Sequence, residues 1–166
     1  MLPGNRQIYG DLTGRFVAQS ISDKKYILVV YNYDANTIHV DAFQSRQTLH
    51  IIDACKKILG DLSAHGISPT LLTIDNEIPT ALVDFIITPS LDTTSLDIQL
   101  LPLYLRRRNP AERAIQLFKS HFTSILCGTY PAFPINLWNK ILPQAMMTLN
   151  LLRTSRLNPK LSAYSQ

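Results

Sequence analysis

Cysteine is scarce in this chain. Cys55 and Cys127 are the only two, and no CxxC pair or Cys/His tetrad accompanies them. That excludes a disulfide framework and leaves a structural zinc site without its ligand spacing. Both thiols are expected in the core, in a reducing compartment. The four histidines, His39, His50, His65 and His121, are equally dispersed. No apolar run reaches the roughly 18 residues of a membrane span, and the opening MLPGNRQIYG lacks the charged-then-apolar order of a secretory signal. No glycine-rich phosphate loop follows a strand-like segment, which argues against a doubly wound nucleotide enzyme. What remains is a soluble, intracellular chain of 166 residues, 46% hydrophobic and 17% charged, suited to one domain with a substantial core.

Acid is missing from the second half. Residues 104–166 hold nine Lys/Arg and one carboxylate, Glu112, whereas residues 1–103 hold seven Lys/Arg and eleven Asp/Glu. The sum of +4 therefore hides halves of −4 and +8. Such asymmetry points to a polyanionic partner for the second half, with a solvated basic surface as the alternative.

QIYGDLTGRFVAQ alternates from residue 7, KKYILVVYNY (24–33) is a β-branched and aromatic run, and TIHVDAF (37–43) is a third strand; YDANT supplies the turn of an antiparallel meander. SRQTLHIIDACKKILGDLSAHG (45–66) changes to a helical period, with Leu49, Ile52, Cys55, Leu59 and Leu62 on one face and Gly66 as its stop. SPTLLTIDN (68–76) reads as a strand, IPTALVDFII (78–87) as a short helix and LDIQLLPL (96–103) as another strand. A helix from Pro110 to Cys127 follows, then a last one in INLWNKILPQAMMTLNLLR, with Leu137, Ile141, Ala145, Leu149 and Leu152 as its apolar stripe and Pro143 as a candidate kink. This order predicts an α/β fold in which helices flank a mixed central sheet.

Three carboxylates occupy places where chemistry is done. Asp11 lies in the first strand on the face of Tyr9 and Thr13, Asp75 closes the strand TLLTID, and Glu112 falls in the first turn of the helix opened by RNPAE. Each also has a structural explanation. Asp11 fits a solvated strand residue and Asp75 an Asx turn. Glu112 completes a capping box with Asn109 as N-cap and Pro110 as first helical residue. Taken together they fit another role. Hard divalent cations bind oxygen donors, and two such ions about 4 Å apart serve both oxygens of an in-line phosphodiester displacement.

GDLTGRF…KKYILVVYNYDAN, LLTIDNE and RRRNPAERAIQLFKSHF resemble the catalytic core of retroelement integrases, the D,D,E polynucleotidyl transferases of LTR retrotransposons and retroviruses, most closely the copia- and gypsy-type versions. The likeness runs from about Tyr9 to Tyr164, and the 36 residues between Asp75 and Glu112 are within about one residue of the family's usual spacing. It implies a ribonuclease H-like fold with a five-stranded mixed sheet, and Asp11, Asp75 and Glu112 as a catalytic triad holding two Mg²⁺ or Mn²⁺ ions. The implied activity is DNA integration: 3′-end processing, an endonuclease step, followed by strand transfer of element DNA into a target duplex. The resemblance also implies at least a dimer, nuclear action after assembly in cytoplasmic particles, and no membrane association.

Arg106, Arg107, Arg108, Arg113 and Lys119 are the candidate DNA contacts; Lys119 matches the family's basic position two turns after Glu112, whereas Gln116 departs from it one turn on. The loop RRRNP is stiffer and more cationic than the family's usual glycine-bearing one. Asp34 and Asp41 are read as surface acids, and Glu77 as a helix-start residue. The family's zinc-binding amino-terminal and DNA-binding carboxy-terminal domains are not found in residues 1–166, so the chain is read as a single core domain. A catalytically silent or domesticated nucleic-acid-binding or assembly module of the same fold is the alternative.

Overall fold

Five strands build one sheet in the order β3-β2-β1-β4-β5. In the computed structural model, which describes residues 6–75, 96–101 and 110–165, these are β1 (Gln7–Leu12), β2 (Tyr26–Asn32), β3 (Thr37–Phe43), β4 (Leu71–Asp75) and β5 (Asp97–Leu101). The first three form the expected antiparallel meander, with Tyr9 opposite Tyr31 and Tyr31 opposite Ile38. β4 and β5 add in parallel on the other side of β1, Ile8 aligning with Leu72 and Leu72 with Ile98. The parallel strands need helical crossovers, and α1 (Thr48–Ala64) supplies the one between β3 and β4. The helix expected over 78–87 lies outside the described residues.

Strand alternation divides the core into two layers. Ile8, Leu28, Val30, Leu72 and Ile74 face α1, meeting Ile51, Ile52, Cys55, Ile58 and Leu62. Ile27, Val29, Tyr31, Ile38 and Ala42 face α2 (Pro110–Cys127) and α3 (Trp138–Leu152), meeting Ala114, Phe118, Phe122, Trp138, Leu142 and Leu149. α1 ends in a Schellman motif: Gly66 adopts φ +73°, its N–H donates to Ser63 O at 2.9 Å, and the Ile67 N–H donates to Leu62 O at 2.9 Å.

Several expected faces are corrected. Leu49 is 72% exposed because it sits in the first turn of α1, and Ile51 and Ile58 take the buried positions. In α3 the buried stripe runs through Trp138, Leu142, Ala145 and Leu149, while Leu152 is exposed in the last turn. α3 continues unbroken through Pro143. Cys55 is buried as expected, which pushes its thiol up to about 12, but Cys127 is exposed at the end of α2.

Edge strand β3 is closed by a side chain. Asn150 of α3 is buried; its Oδ1 accepts the Ile38 N–H at 2.9 Å and its Nδ2 donates to the Ile38 carbonyl at 2.8 Å. One amide thereby replaces a neighbouring strand, a way of blunting an edge. The carboxy-terminal segment is fastened to the β2–β3 turn. Asn36 Nδ2 donates to Thr154 O at 2.8 Å, Asn36 Oδ1 accepts from Tyr31 Oη at 2.8 Å and from Arg153 Nη2, and Arg156 lies 3.9 Å over the Tyr33 ring.

Candidate carboxylate site

The register of the two central strands decides where the acids fall. Asp11 pairs with Val29 of β2 on one side. On the other side β1 and β4 run in parallel step up to Gly10 opposite Ile74. The paired register ends there, and the next residues are Asp11 on β1 and Asp75, the last residue of β4, which aligns with Leu101 of β5. Both residues therefore stand at the carboxyl ends of parallel strands, the edge where open α/β sheets place ligands. Gly10 permits this approach: a Cβ there would meet Ile74 Cδ1 at 3.0 Å.

Alternation also sets the face. Leu12 packs with the α1 layer and Tyr9 with the α2–α3 layer, so Asp11 shares the face of Tyr9. On β4, Leu72 and Ile74 belong to the α1 layer, which puts positions 73 and 75 on the opposite face. A bond from Gln7 Nε2 to Thr73 Oγ1, 3.1 Å, marks that face across the strand pair. The Leu12 N–H donates to Asp11 Oδ1 at 2.7 Å, which fixes one carboxylate oxygen against the backbone.

α2 packs on this same face, against β1 and β2. It opens at Pro110, and Glu112 lies exposed in its first turn. Glu112, Gln116 and Lys119 follow one helical stripe, i, i+4 and i+7, and all three are exposed. Arg113 is exposed beside them. Arg106, Arg107 and Arg108 lie outside the described residues, as do Asn109 of the expected capping box, Glu77 and the Asp75 side chain. Among the described residues no group of three or more His, Cys, Asp or Glu side chains is placed to hold a metal, and no helix is long and apolar enough to cross a membrane.

Asp41, expected as a surface acid, is partly buried instead. Burial raises its carboxyl above the ordinary range, with Lys57 and Lys24 opposing the shift. Lys57 Nζ lies 3.6 Å from Asp41 Oδ2. The Lys24-Lys25 and Lys56-Lys57 pairs stand in the sequence, but the place of Lys57 beside Asp41 of β3 follows only from the packing of α1.

The same architecture recurs in solved structures. The HTLV-2 integrase catalytic core domain in complex with magnesium (trimeric form) aligns with a TM-score of 0.66 at 18% identity, over 99% of this chain and 97% of that one. BIV integrase's catalytic core domain gives 0.61 at 14% identity, over 98% and 93%. A chain of the simian T-cell lymphotropic virus intasome, in complex with PP2A regulatory subunit B56 gamma, gives 0.72 at 14% identity; this chain spans 55% of its length. No protein-family model matches the sequence, and no curated protein matches it. The chain therefore has the ribonuclease H-like fold of retroviral integrase catalytic cores.

Proposed function

We propose that the chain is the catalytic core of an LTR-element integrase of copia or gypsy type, a polynucleotidyl transferase acting on DNA in the nucleus as a dimer or larger assembly. The observation that supports this reading is the parallel β1–β4 register, in step as far as Gly10 opposite Ile74, the residues immediately before Asp11 and Asp75, with α2, whose first turn holds Glu112, packed against β1.

The donor set fits a hard divalent cation, since every candidate ligand is a carboxylate oxygen. Asp11, Asp75 and Glu112 are the residues that would hold two Mg²⁺ or Mn²⁺ ions. When bound, such ions favour ionisation of the attacking hydroxyl or water and stabilise the leaving oxygen. The chain's own residues do the positioning. Two of the acids sit on strands at the sheet's centre, and the third sits on a helix fixed to that sheet by Ala114, Ile115 and Phe118. Arg106, Arg107, Arg108, Arg113 and Lys119 neutralise phosphates and orient the strand without reading sequence. This explains why the lone acid of the second half stands inside a cationic segment. If that segment engages about five phosphates, it contributes about −4 to −5 to the log–log salt slope on duplex DNA.

The test is a disintegration reaction, the reverse of strand transfer, with Mn²⁺ and a branched DNA substrate. The parent core is expected to resolve the branch, and Asp75→Asn and Glu112→Gln to fold normally yet lose at least about a hundredfold in rate. Equal rates in either variant refute the triad. DNA binding without reaction in the parent would make the chain a silent nucleic-acid module, and a salt slope near zero would remove DNA from the account.

A further inference from the structure

Arg15 is the only Lys or Arg between Gln7 and Asp23, and it stands four residues after Asp11. β1 pairs with β2 as far as Leu12 opposite Leu28. The pairing continues one residue past the strand: the Thr13 N–H donates to the Ile27 carbonyl at 2.9 Å, and Thr13 Oγ1 accepts the Ile27 N–H at 3.0 Å. It resumes at Phe16, whose N–H donates to the Lys25 carbonyl at 2.7 Å. Gly14 and Arg15 therefore form a short excursion held at both ends, and both are exposed. Among the described residues no side chain forms an ion pair with Arg15.

The same segment is fixed to the helix that carries Glu112. The Phe16 ring lies 5.9 Å from that of Phe122 on α2 and 4.4 Å from that of Trp138 on α3. Trp138 Nε1–H donates to the Ala18 carbonyl at 2.9 Å, and the Ile21 N–H donates to the Asn136 carbonyl at 2.8 Å. Phe16 thus packs in the α2–α3 layer, the layer of Tyr9, whose face Asp11 shares. Four residues of extended chain span at most about 14 Å. At about 3.4 Å per nucleotide, a DNA strand whose reacting phosphate lies at Asp11 passes the Arg15 backbone within about four nucleotides.

We infer that Arg15 is a positioning residue for the proposed reaction, its guanidinium holding one phosphate of the reacting DNA strand within about four nucleotides of the bond at Asp11. It rests on the proposed function, because that phosphate belongs to the strand the carboxylates receive. A guanidinium binds two oxygens of one phosphate in a fixed fork, so it sets the strand's orientation as well as neutralising its charge. The anchored backbone matters for the same reason. An arginine on a loose loop gives up its freedom at binding, whereas here the two clamps and the Phe16 ring have restricted it beforehand.

The experiment runs the Mn²⁺ disintegration reaction with the parent, Arg15→Gln and Arg15→Lys on a set of branched DNAs. In each DNA one phosphate near the reacting bond is replaced by a neutral methylphosphonate. On unmodified DNA, Arg15→Gln is expected to lose about tenfold or more in rate, and Arg15→Lys to recover part of it. In the parent, one methylphosphonate within about four nucleotides of the reacting bond should slow the reaction by a similar factor. In Arg15→Gln that same substitution should change nothing further, because the partner of the phosphate is already gone. This coupling is a ratio of rates within one variant, so the fraction of folded protein does not affect it. An active parent whose methylphosphonate profile is identical in Arg15→Gln overturns the role of Arg15 and leaves the proposed function standing. A parent that neither binds duplex nor resolves the branch overturns both.

Discussion

Replacing Asn150 with leucine keeps the branched shape and heavy-atom count of the side chain and removes both of its hydrogen bonds to Ile38. Ile38 is fully buried, so water cannot reach the abandoned N–H and carbonyl in the folded state. Each unsatisfied group costs about 1–3 kcal/mol, and the apolar gain of leucine in that layer offsets part of it. The net loss is about 2–4 kcal/mol, which for a chain of this size lowers the melting temperature by about 4–16 °C. Thermal unfolding followed by circular dichroism gives the shift, and amide exchange at Ile38 gives the mechanism, because protection there should fall more than at Val29 in the sheet interior. A shift below about 2 °C, or unchanged protection at Ile38, would refute the claim that this amide closes the sheet edge.

Other outcomes follow from single features. His39 is held neutral by burial, which lowers its pKa from 6.5 to about 4, with Asp61 opposing and His65 adding to the shift. The unfolded chain therefore binds the proton more readily, so this contribution is complete above pH 6.5 and is lost as pH falls toward 4. It is on the order of 3 kcal/mol, and His39→Gln should flatten that part of a stability–pH curve. Gly66→Ala puts a Cβ at φ +73° and should cost about 1 kcal/mol in urea unfolding. Asn36→Ala releases the contacts to Thr154, Tyr31 and Arg153; about 2 kcal/mol and faster amide exchange at Ala163, whose N–H donates to Arg153 O, are expected.

The elements readable from sequence are those with strong local causes. TIHVDAF became β3 residue for residue, and the helix opened by Pro110 and closed at Cys127 kept both ends, because a turn or a proline marks each boundary. The apolar faces were less legible. Leu49 and Leu152 satisfy a helical period but lie at helix ends beyond the sheet's cover, and period cannot report where the neighbouring layer stops. Asn150 is polar and buried; its place depends on an edge strand 112 residues away in sequence, which no local pattern encodes. The candidate site divides in the same way. Asp11, Asp75 and Glu112 are legible as candidates from their places in the strand and helix pattern, whereas the parallel β1–β4 pairing that runs up to Gly10 and Ile74 joins residues more than 60 apart in sequence.

Anomalous diffraction from crystals of the core bound to duplex DNA and soaked in Mn²⁺ tests the central claim most directly. Manganese density in contact with the carboxylates of Asp11, Asp75 and Glu112 together, two peaks about 4 Å apart, is the expected result. Manganese bound elsewhere on the chain, with those three carboxylates lacking any metal between them, would contradict it.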